Sequence, residues 1–220
     1  WTIKQMKNIL LLLVTLLLTL TSYSQTKLYI HPDGENYAAN TETLAILPLK
    51  VQVKLRPKQL KDFTQDQIEE MQRNEALDIQ KAMHTWFLTR KKRGETKINV
   101  LSPARANALL SKAGIDKHNY DEYLPSELGK ILGVDVIVTG TFETNQPMSN
   151  AAAIGLALLG GFGATQSALC NFDFYDTRDD ELVVNYNKKI KGGLGSDSQD
   201  LINILMRKVT RRIPYTNQKI

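Results

Sequence analysis

The chain has 220 residues, of which 42% are hydrophobic, and a formal net charge of +5. This length fits one domain with its own packed core, and the mild basic excess excludes the dense basic stripe of a typical nucleic-acid-binding protein. Cys170 is the only cysteine, which excludes an intrachain disulfide, and its place in an apolar alternation predicts a small buried side chain.

The first 24 residues have the pattern of an export signal. We interpret residues 1–5 as a tag remnant or a misassigned upstream start, with the natural start at Met6. Lys7, the apolar run of residues 9–20 and the small polar residues after it are typical of a secretory signal peptide. The run is shorter than the about 20 residues that span a bilayer, although a retained anchor is the alternative. Cleavage is expected after Ser24, which lowers the net charge to +3.

No cysteine lies near the expected cleavage point, so we do not expect a lipid-modified N-terminus. Residues 25–41 are polar and rich in turn residues, and they predict a flexible N-terminal arm. The apolar run of residues 44–49 and the alternation of Val51, Val53 and Leu55 predict a strand. Pro48 cannot donate a ladder hydrogen bond, so we expect it at an edge or at a break in that strand.

The strongest helical signal covers residues 64–93. Thr64 or Asp66 can cap the start, and Gly94 can supply the left-handed end. The predicted apolar face, at spacings of three and four, comprises Ile68, Met71, Ile79, Met83, Trp86 and Phe87. A strand is predicted at residues 97–101, and a helix is predicted to begin at Ser102-Pro103 and to end at Gly114.

A short helix is then predicted from Pro125 to Gly133, followed by a strand over residues 134–142. Residues 147–166 form an insertion whose Ala/Gly-rich part, 151–164, carries no charge. Two strands, 167–175 and 182–190, are predicted to form a hairpin around the acidic turn 176–181. A last helix begins at residues 196–198 and is predicted to bury Leu201, Ile202, Leu205, Val209 and Ile213.

The predicted order is β-α-β-α-α-β-β-β-α, without internal repeats. This order predicts a single α/β domain over residues 42–215, with a tail at 216–220. Helices should cover a mixed β-sheet, with a C-terminal antiparallel hairpin and a final helix.

The segment 127–141, with the sequence ELGKILGVDVIVTGT, is the most specific pattern in the chain. Together with the early strand at 44–49 and the end of the last helix, it resembles the envelope-protein superfamily that includes CsgG, the N-terminal domain of TolB, and LpoB. The resemblance covers about residues 42–215 and implies scaffolds, channels and regulators rather than enzymes. The lipid-attachment cysteine of the channel and activator lipoproteins is missing here.

No catalytic or metal site is predicted. His31, His84 and His118 lie on separate elements without a Cys or carboxylate at ligand spacing, and no Ser-His-Asp arrangement or nucleophile elbow is present. The glycine clusters at 160–163 and 192–195 lack the Lys-Ser/Thr ending of a phosphate loop. The acidic turn 176–181 lacks the pattern of a dedicated calcium loop, which favours an ordinary hairpin turn. We expect no cofactor, no small-molecule substrate and no nucleic acid.

Two features remain as candidate contact sites. A basic cluster at the end of the long helix, extended by Arg207, Lys208, Arg211 and Arg212, can contact anionic lipid, polysaccharide or an acidic partner; a solvated helix C-terminus is the alternative. The cluster comprises Arg90, Lys91, Lys92 and Arg93. The second feature is the segment 151–164, with candidate partner or membrane contacts at Ile154, Leu156, Leu158, Leu159 and Phe162. It is too short for a spanning helix and lacks the alternation of a barrel strand. Self-packing, a protein or oligomer contact and membrane insertion stay open, in that order.

The sequence therefore predicts a non-catalytic exported envelope protein that acts as a protein-binding or scaffold module. The expected partner is another envelope protein or a second copy of the chain, with peripheral membrane contact as an addition. The expected location is periplasmic, outer-membrane associated or secreted, in a Gram-negative bacterium. The alternative is an oligomeric subunit of an outer-membrane secretion or transport assembly, like CsgG.

Overall fold

A computed structural model describes residues 26–55, 57–61, 63–116, 118–144, 167–191 and 198–216. The strands are β1 (Thr26–Ile30), β2 (Thr43–Ile46), β3 (Lys50–Val53), β4 (Asn99–Val100), β5 (Val136–Thr144), β6 (Ser167–Asp176) and β7 (Leu182–Lys191). The helices are α1 (Gly34–Ala39), α2 (Pro57–Leu60), α3 (Gln65–Lys92), α4 (Pro103–Lys112), α5 (Pro125–Leu132) and α6 (Ser198–Val209). Short 3-10 turns cover Tyr120–Glu122 and Pro214–Thr216.

One mixed sheet contains the seven strands of the described residues. Six of them follow the order β1-β7-β6-β5-β2-β4, and β3 pairs with β5 beside this path. The pairs β5–β6, β6–β7 and β7–β1 are antiparallel, whereas β2 is parallel to both β5 and β4. The strand β3 also runs parallel to β5, further along it than β2. This arrangement confirms the predicted α/β class with a mixed sheet, helices on the sheet and a C-terminal antiparallel hairpin.

The long helix α3 begins and ends at the signals that the sequence contains. The Thr64 hydroxyl accepts a hydrogen bond from the Gln67 amide, and the Gln67 side chain accepts one from the Thr64 amide. This reciprocal capping satisfies two amides that the first turn leaves free. At the other end, Gly94 has a φ of 72°, a left-handed conformation that a glycine adopts without steric cost. The predicted helix over residues 64–93 is confirmed.

Helices cover both faces of the sheet, and each face has a main core of its own. On one face α3 and α6 bury Ile79, Phe87 and Leu205 against Phe172 and Tyr186. Each such fully buried side chain contributes on the order of 1.5–3 kcal/mol of transfer free energy. On the other face α4 and α5 form a smaller core with the early strands and β5. The alternation of strand residues between these cores follows from the two-residue period of a strand.

One part of the N-terminal region differs from the sequence prediction. Residues 26–39, predicted to be part of a flexible arm, instead form β1 and α1, because β1 pairs antiparallel with β7 over its whole length. This pairing joins residues that are about 160 positions apart, which local composition does not reveal. The predicted strand at 44–55 is interrupted around Pro48 and continues as β3, as expected for a residue that cannot donate to the ladder.

The strand β5 approaches β6 closely at Gly140. A Cβ at this position would collide with the backbone carbonyl oxygen of Asn171, the residue beside the one paired with Gly140. Only glycine fits this position without a backbone shift. The close approach of the Asn171 carbonyl is therefore the reason for a glycine at position 140.

Candidate functional site

The Ala/Gly-rich segment 151–164 lies outside the described residues. The candidate contacts Ile154, Leu156, Leu158, Leu159 and Phe162 therefore stay predictions, as do the signal peptide and its cleavage after Ser24. In the described ranges, no helix is long and apolar enough to cross a membrane.

The four residues of the basic cluster are not equivalent. The Arg90 side chain is buried, with 6% of the residue exposed, and forms an ion pair with Glu95. Lys91 donates a hydrogen bond to the Asn99 side chain, whereas Lys92 and Arg93 are exposed. Arg90 therefore supports the end of α3 from inside, and only the other three residues can contact an anionic surface.

The structure brings the ends of α3 and α6 together. The Thr96 hydroxyl, just after α3, donates a 2.7 Å hydrogen bond to the carbonyl oxygen of Tyr215, just after α6. The basic residues at the end of α6 are therefore at the same end of the molecule as those of α3, and helix C-termini favour cations. These residues are Arg207, Lys208, Arg211 and Arg212.

A lysine that the sequence analysis did not single out lies near Lys208 and Arg212. Lys188 on β7 points to the side of the sheet that α3 and α6 cover, and only 4% of it is exposed. Its ammonium donates a hydrogen bond to the Thr26 hydroxyl on β1. Its position between the core residues Tyr186 and Ile190 was a readable signal, because alternate residues of a strand share a face.

Burial and like charge make this lysine costly to ionise. Desolvation is the largest cause that lowers the pKa of Lys188, and the cations of Lys208 and Arg212 lower it further. Within the described part of the chain, none of these three cations forms an ion pair with a carboxylate. The end of the sheet beside α6 therefore holds positive charge that the described protein does not neutralise.

Carboxylates at the opposite end of β7 are satisfied internally. The Asp135 carboxylate accepts hydrogen bonds from the amides of Glu42 and Thr43, both at 2.9 Å, and from the Thr43 hydroxyl at 3.0 Å. The Thr177 hydroxyl donates to the carbonyl oxygen of Val134 at 2.8 Å. These bonds, which we call the Asp135 clasp, fix the start of β5 against the start of β2 and the hairpin turn.

The acidic turn between β6 and β7 is also occupied by internal donors. The Arg178 side chain donates to the buried Asp176 at 2.5 and 2.8 Å. Asp180 accepts a 2.6 Å hydrogen bond from the Ser126 amide at the start of α5, where an anion is favourable. These side chains hold the hairpin turn against α5, and the described residues contain no group of His, Cys, Asp and Glu able to hold a metal ion.

Neither the histidines nor the cysteine forms a reactive site. Burial is the main cause that lowers the pKa of His84, while His31 lies 3.9 Å from Glu181 and His118 is exposed. Burial raises the pKa of the Cys170 thiol to about 12. A thiol that stays protonated is a poor nucleophile, and the predicted buried position of Cys170 is confirmed.

The strand β1 is an edge with exposed apolar side chains. Leu28, Tyr29 and Ile30 are 37%, 45% and 38% exposed, and among the described strands β1 pairs only with β7. The sequence analysis assigned these residues to an arm and did not propose them as a contact site. An uncovered apolar edge is a structural liability unless another chain covers it.

Comparisons with known proteins do not assign a family. No protein-family model matches the chain, and no curated protein does. Solved structures with a similar overall course include the PelC dodecamer from Paraburkholderia phytofirmans, at 10% identity and a TM-score of 0.45, with 89% of this chain and 99% of that chain covered. Lipoprotein GNA1162 from Neisseria meningitidis shows 11% identity and a TM-score of 0.45, with 78% and 96% covered.

The LpoB C-terminal domain from Salmonella enterica is similar at 6% identity and a TM-score of 0.31, with 68% of this chain and 82% of that chain covered. These likenesses are too weak to carry an argument about function. The function is therefore argued from the residues of this chain.

Proposed function

We propose that this protein is an exported, non-catalytic envelope protein that binds another protein through the edge strand β1. One observation carries the proposal: three consecutive large apolar side chains are exposed on a strand whose outer edge is unpaired in the described structure. Soluble proteins usually protect such an edge with charges, proline or a covering element. An extended segment of a partner can pair with it and bury the side chains.

The hydrogen-bond pattern identifies the backbone groups that face outward. The amide of His31 donates a 2.8 Å hydrogen bond to the carbonyl oxygen of Val183 on β7. In an antiparallel pair, alternate residues bond to the same neighbour, so Tyr29 also bonds inward. The amides and carbonyls of Leu28 and Ile30 then point to the free edge and can pair with an added strand.

The predicted signal peptide supports a location in the cell envelope. The alternative is self-assembly of this chain at the same edge, as in an oligomeric subunit of an outer-membrane secretion or transport assembly. Both readings predict that β1 is covered in the cell.

Site-specific photocrosslinking in living cells tests the proposal. A photoreactive phenylalanine analogue replaces Tyr29 in one strain and Leu88 in a second strain. Leu88 is a matched control, since it is 47% exposed on α3, away from β1. We expect a discrete adduct from position 29 and none from position 88.

A proline variant distinguishes strand pairing from nonspecific hydrophobic association. Leu28→Pro removes an amide that faces outward and keeps the pairing with β7, because edge strands tolerate proline on their free side. In this variant we expect the yield of the adduct from position 29 to fall at least tenfold. Circular dichroism should show that the variant remains folded. An adduct with a second copy of the chain, whose yield increases in detergent, would favour the transport-assembly alternative. Equal adducts from both positions, or none, would overturn the proposal.

A further inference from the structure

The seam between β7, β1 and the end of α6 gathers positive charge around a buried lysine. Lys188 is almost fully removed from solvent, and the Thr26 hydroxyl is the hydrogen-bond acceptor of its ammonium in the structure. A hydroxyl neutralises none of the charge. Burying an ammonium without a counter-charge is unfavourable, so a fold retains one only where other interactions offset this cost.

The charged groups that face Lys188 come from the packed helix and the segment after it. Lys208 on α6 and Arg212 beyond its end both repel the ammonium of Lys188, and the Cys170 side chain on β6 is a weak opposing influence. None of the three cations pairs with a carboxylate of the described chain. Three cations from two elements therefore converge without a described counter-charge.

A buried hydroxyl points to the same seam. The hydroxyl oxygen of Tyr186 is buried, and no hydrogen bond joins it to the described residues. Burial raises the pKa of Tyr186 to about 12, and Arg212 and the Thr26 hydroxyl partly offset this rise. The Tyr186 hydroxyl therefore lies near the acceptor of Lys188 and near one of the other cations. A buried polar group without a partner is unfavourable, and a ligand oxygen would satisfy it.

We propose that Lys188, Lys208 and Arg212 bind a phosphate group at this seam, with the Tyr186 hydroxyl as a further donor. Phosphate carries one to two negative charges and offers several acceptor oxygens, so it matches three cations better than a single carboxylate does. Arginine binds such an anion through its fork, and lysine binds it as a point charge. Lys208 is half-buried and Arg212 is exposed, so the seam opens to solvent on their side. This site does not depend on partner binding at the outer edge of β1.

Two probes separate the possible sources of the phosphate group. Inorganic phosphate is titrated into the purified protein by calorimetry, and vesicles of phosphatidylglycerol or of phosphatidylcholine are sedimented with it. The variants are Lys188→Met and Arg212→Gln, which each remove one cation of the seam. The control is Lys27→Gln, which removes the same charge one residue from Thr26 on β1, on the opposite face of the sheet.

We expect each seam variant to weaken binding at least tenfold and the control to weaken it less than twofold. Binding of inorganic phosphate identifies a free anion as a sufficient ligand, and binding of phosphatidylglycerol vesicles alone identifies a lipid headgroup. Either kind of binding supports the site if it is weakened in the seam variants. Arg212→Gln keeps the test valid if Lys188→Met fails to fold, because Arg212 is exposed.

Three results would overturn the proposal. The first is that neither probe binds the unmodified protein. The second is that Lys27→Gln weakens binding as much as the seam variants do, which would show diffuse attraction of a basic protein to anions. The third is that binding persists in both seam variants.

Discussion

The two ends of the hairpin strands differ in how their charged groups are paired. Near the hairpin turn, the carboxylates of Asp135, Asp176 and Asp180 accept hydrogen bonds from amides, a hydroxyl and Arg178. Near the other end of β7, Lys188 has a neutral hydroxyl as its acceptor and two cations as neighbours. The first set of charges is satisfied by the fold itself, whereas the second is not.

This difference separates a structural role from a binding role. A buried charge with a full set of internal partners stabilises one arrangement of the chain, and its removal leaves those partners unsatisfied. A buried charge without such partners destabilises the isolated protein, and its removal therefore increases the free energy of unfolding. Substitutions at the two ends should therefore change the free energy of unfolding with opposite signs.

The largest effect is expected at the Asp135 clasp. Asp135→Ala leaves the amides of Glu42 and Thr43 and the Thr43 hydroxyl without their acceptor. Hydrogen bonds to a charged group contribute about 1.5–3 kcal/mol each and do not add fully, so we expect a loss of about 3 kcal/mol. Urea unfolding followed by circular dichroism measures it.

Asp78→Ala is the matched control for this measurement. Asp78 forms a surface ion pair with Lys81 at 3.6 Å, and such pairs contribute about 0–1 kcal/mol. A loss for Asp135→Ala no larger than that of the control would mean that water replaces the carboxylate without cost. The clasp would then not hold β5 against β2.

A smaller loss is expected at the end of α3. Arg90→Ala removes a buried guanidinium from its ion pair with Glu95. Because the Glu95 side chain is about one-third exposed, water compensates it in part, and we expect a loss of about 2 kcal/mol. Lys92→Ala, at an exposed position two residues away, should change stability by less than about 0.5 kcal/mol. Equal effects of the two substitutions in thermal unfolding would contradict an internal role for Arg90.

Local signals in the sequence were enough for the helices and for the hairpin. The cap at Thr64 and the left-handed Gly94 bound α3, and the alternation on either side of the acidic turn predicted β6 and β7. Such features depend on residues close together in the chain, which is why pattern reasoning finds them.

Features that depend on distant partners were not predicted. The pairing of β1 with β7 and the bonds from Asp135 to Thr43 join segments about 160 and 90 residues apart. Composition assigned β1 to an arm, and the sequence analysis did not single out Asp135. Lys188 differs from these, since its inward position follows from the alternation of β7.

The smallest effect is expected at Lys188 and has the opposite sign. In phosphate-free buffer at neutral pH, Lys188→Met should stabilise the protein by about 1 kcal/mol, because an apolar side chain of similar length replaces an unneutralised buried ammonium. The pKa of Lys188 is lowered in the folded protein, so near its folded-state pKa the unfolded chain binds more protons than the folded one. The stability of the unmodified protein therefore rises with pH as Lys188 loses its proton. The advantage of the methionine variant should shrink as the pH approaches the ordinary lysine value of 10.5, measured by urea unfolding of both proteins at pH 7 and pH 10. A destabilising effect of Lys188→Met at neutral pH would show that the fold satisfies this charge after all, and the contrast between the two ends of the hairpin would disappear.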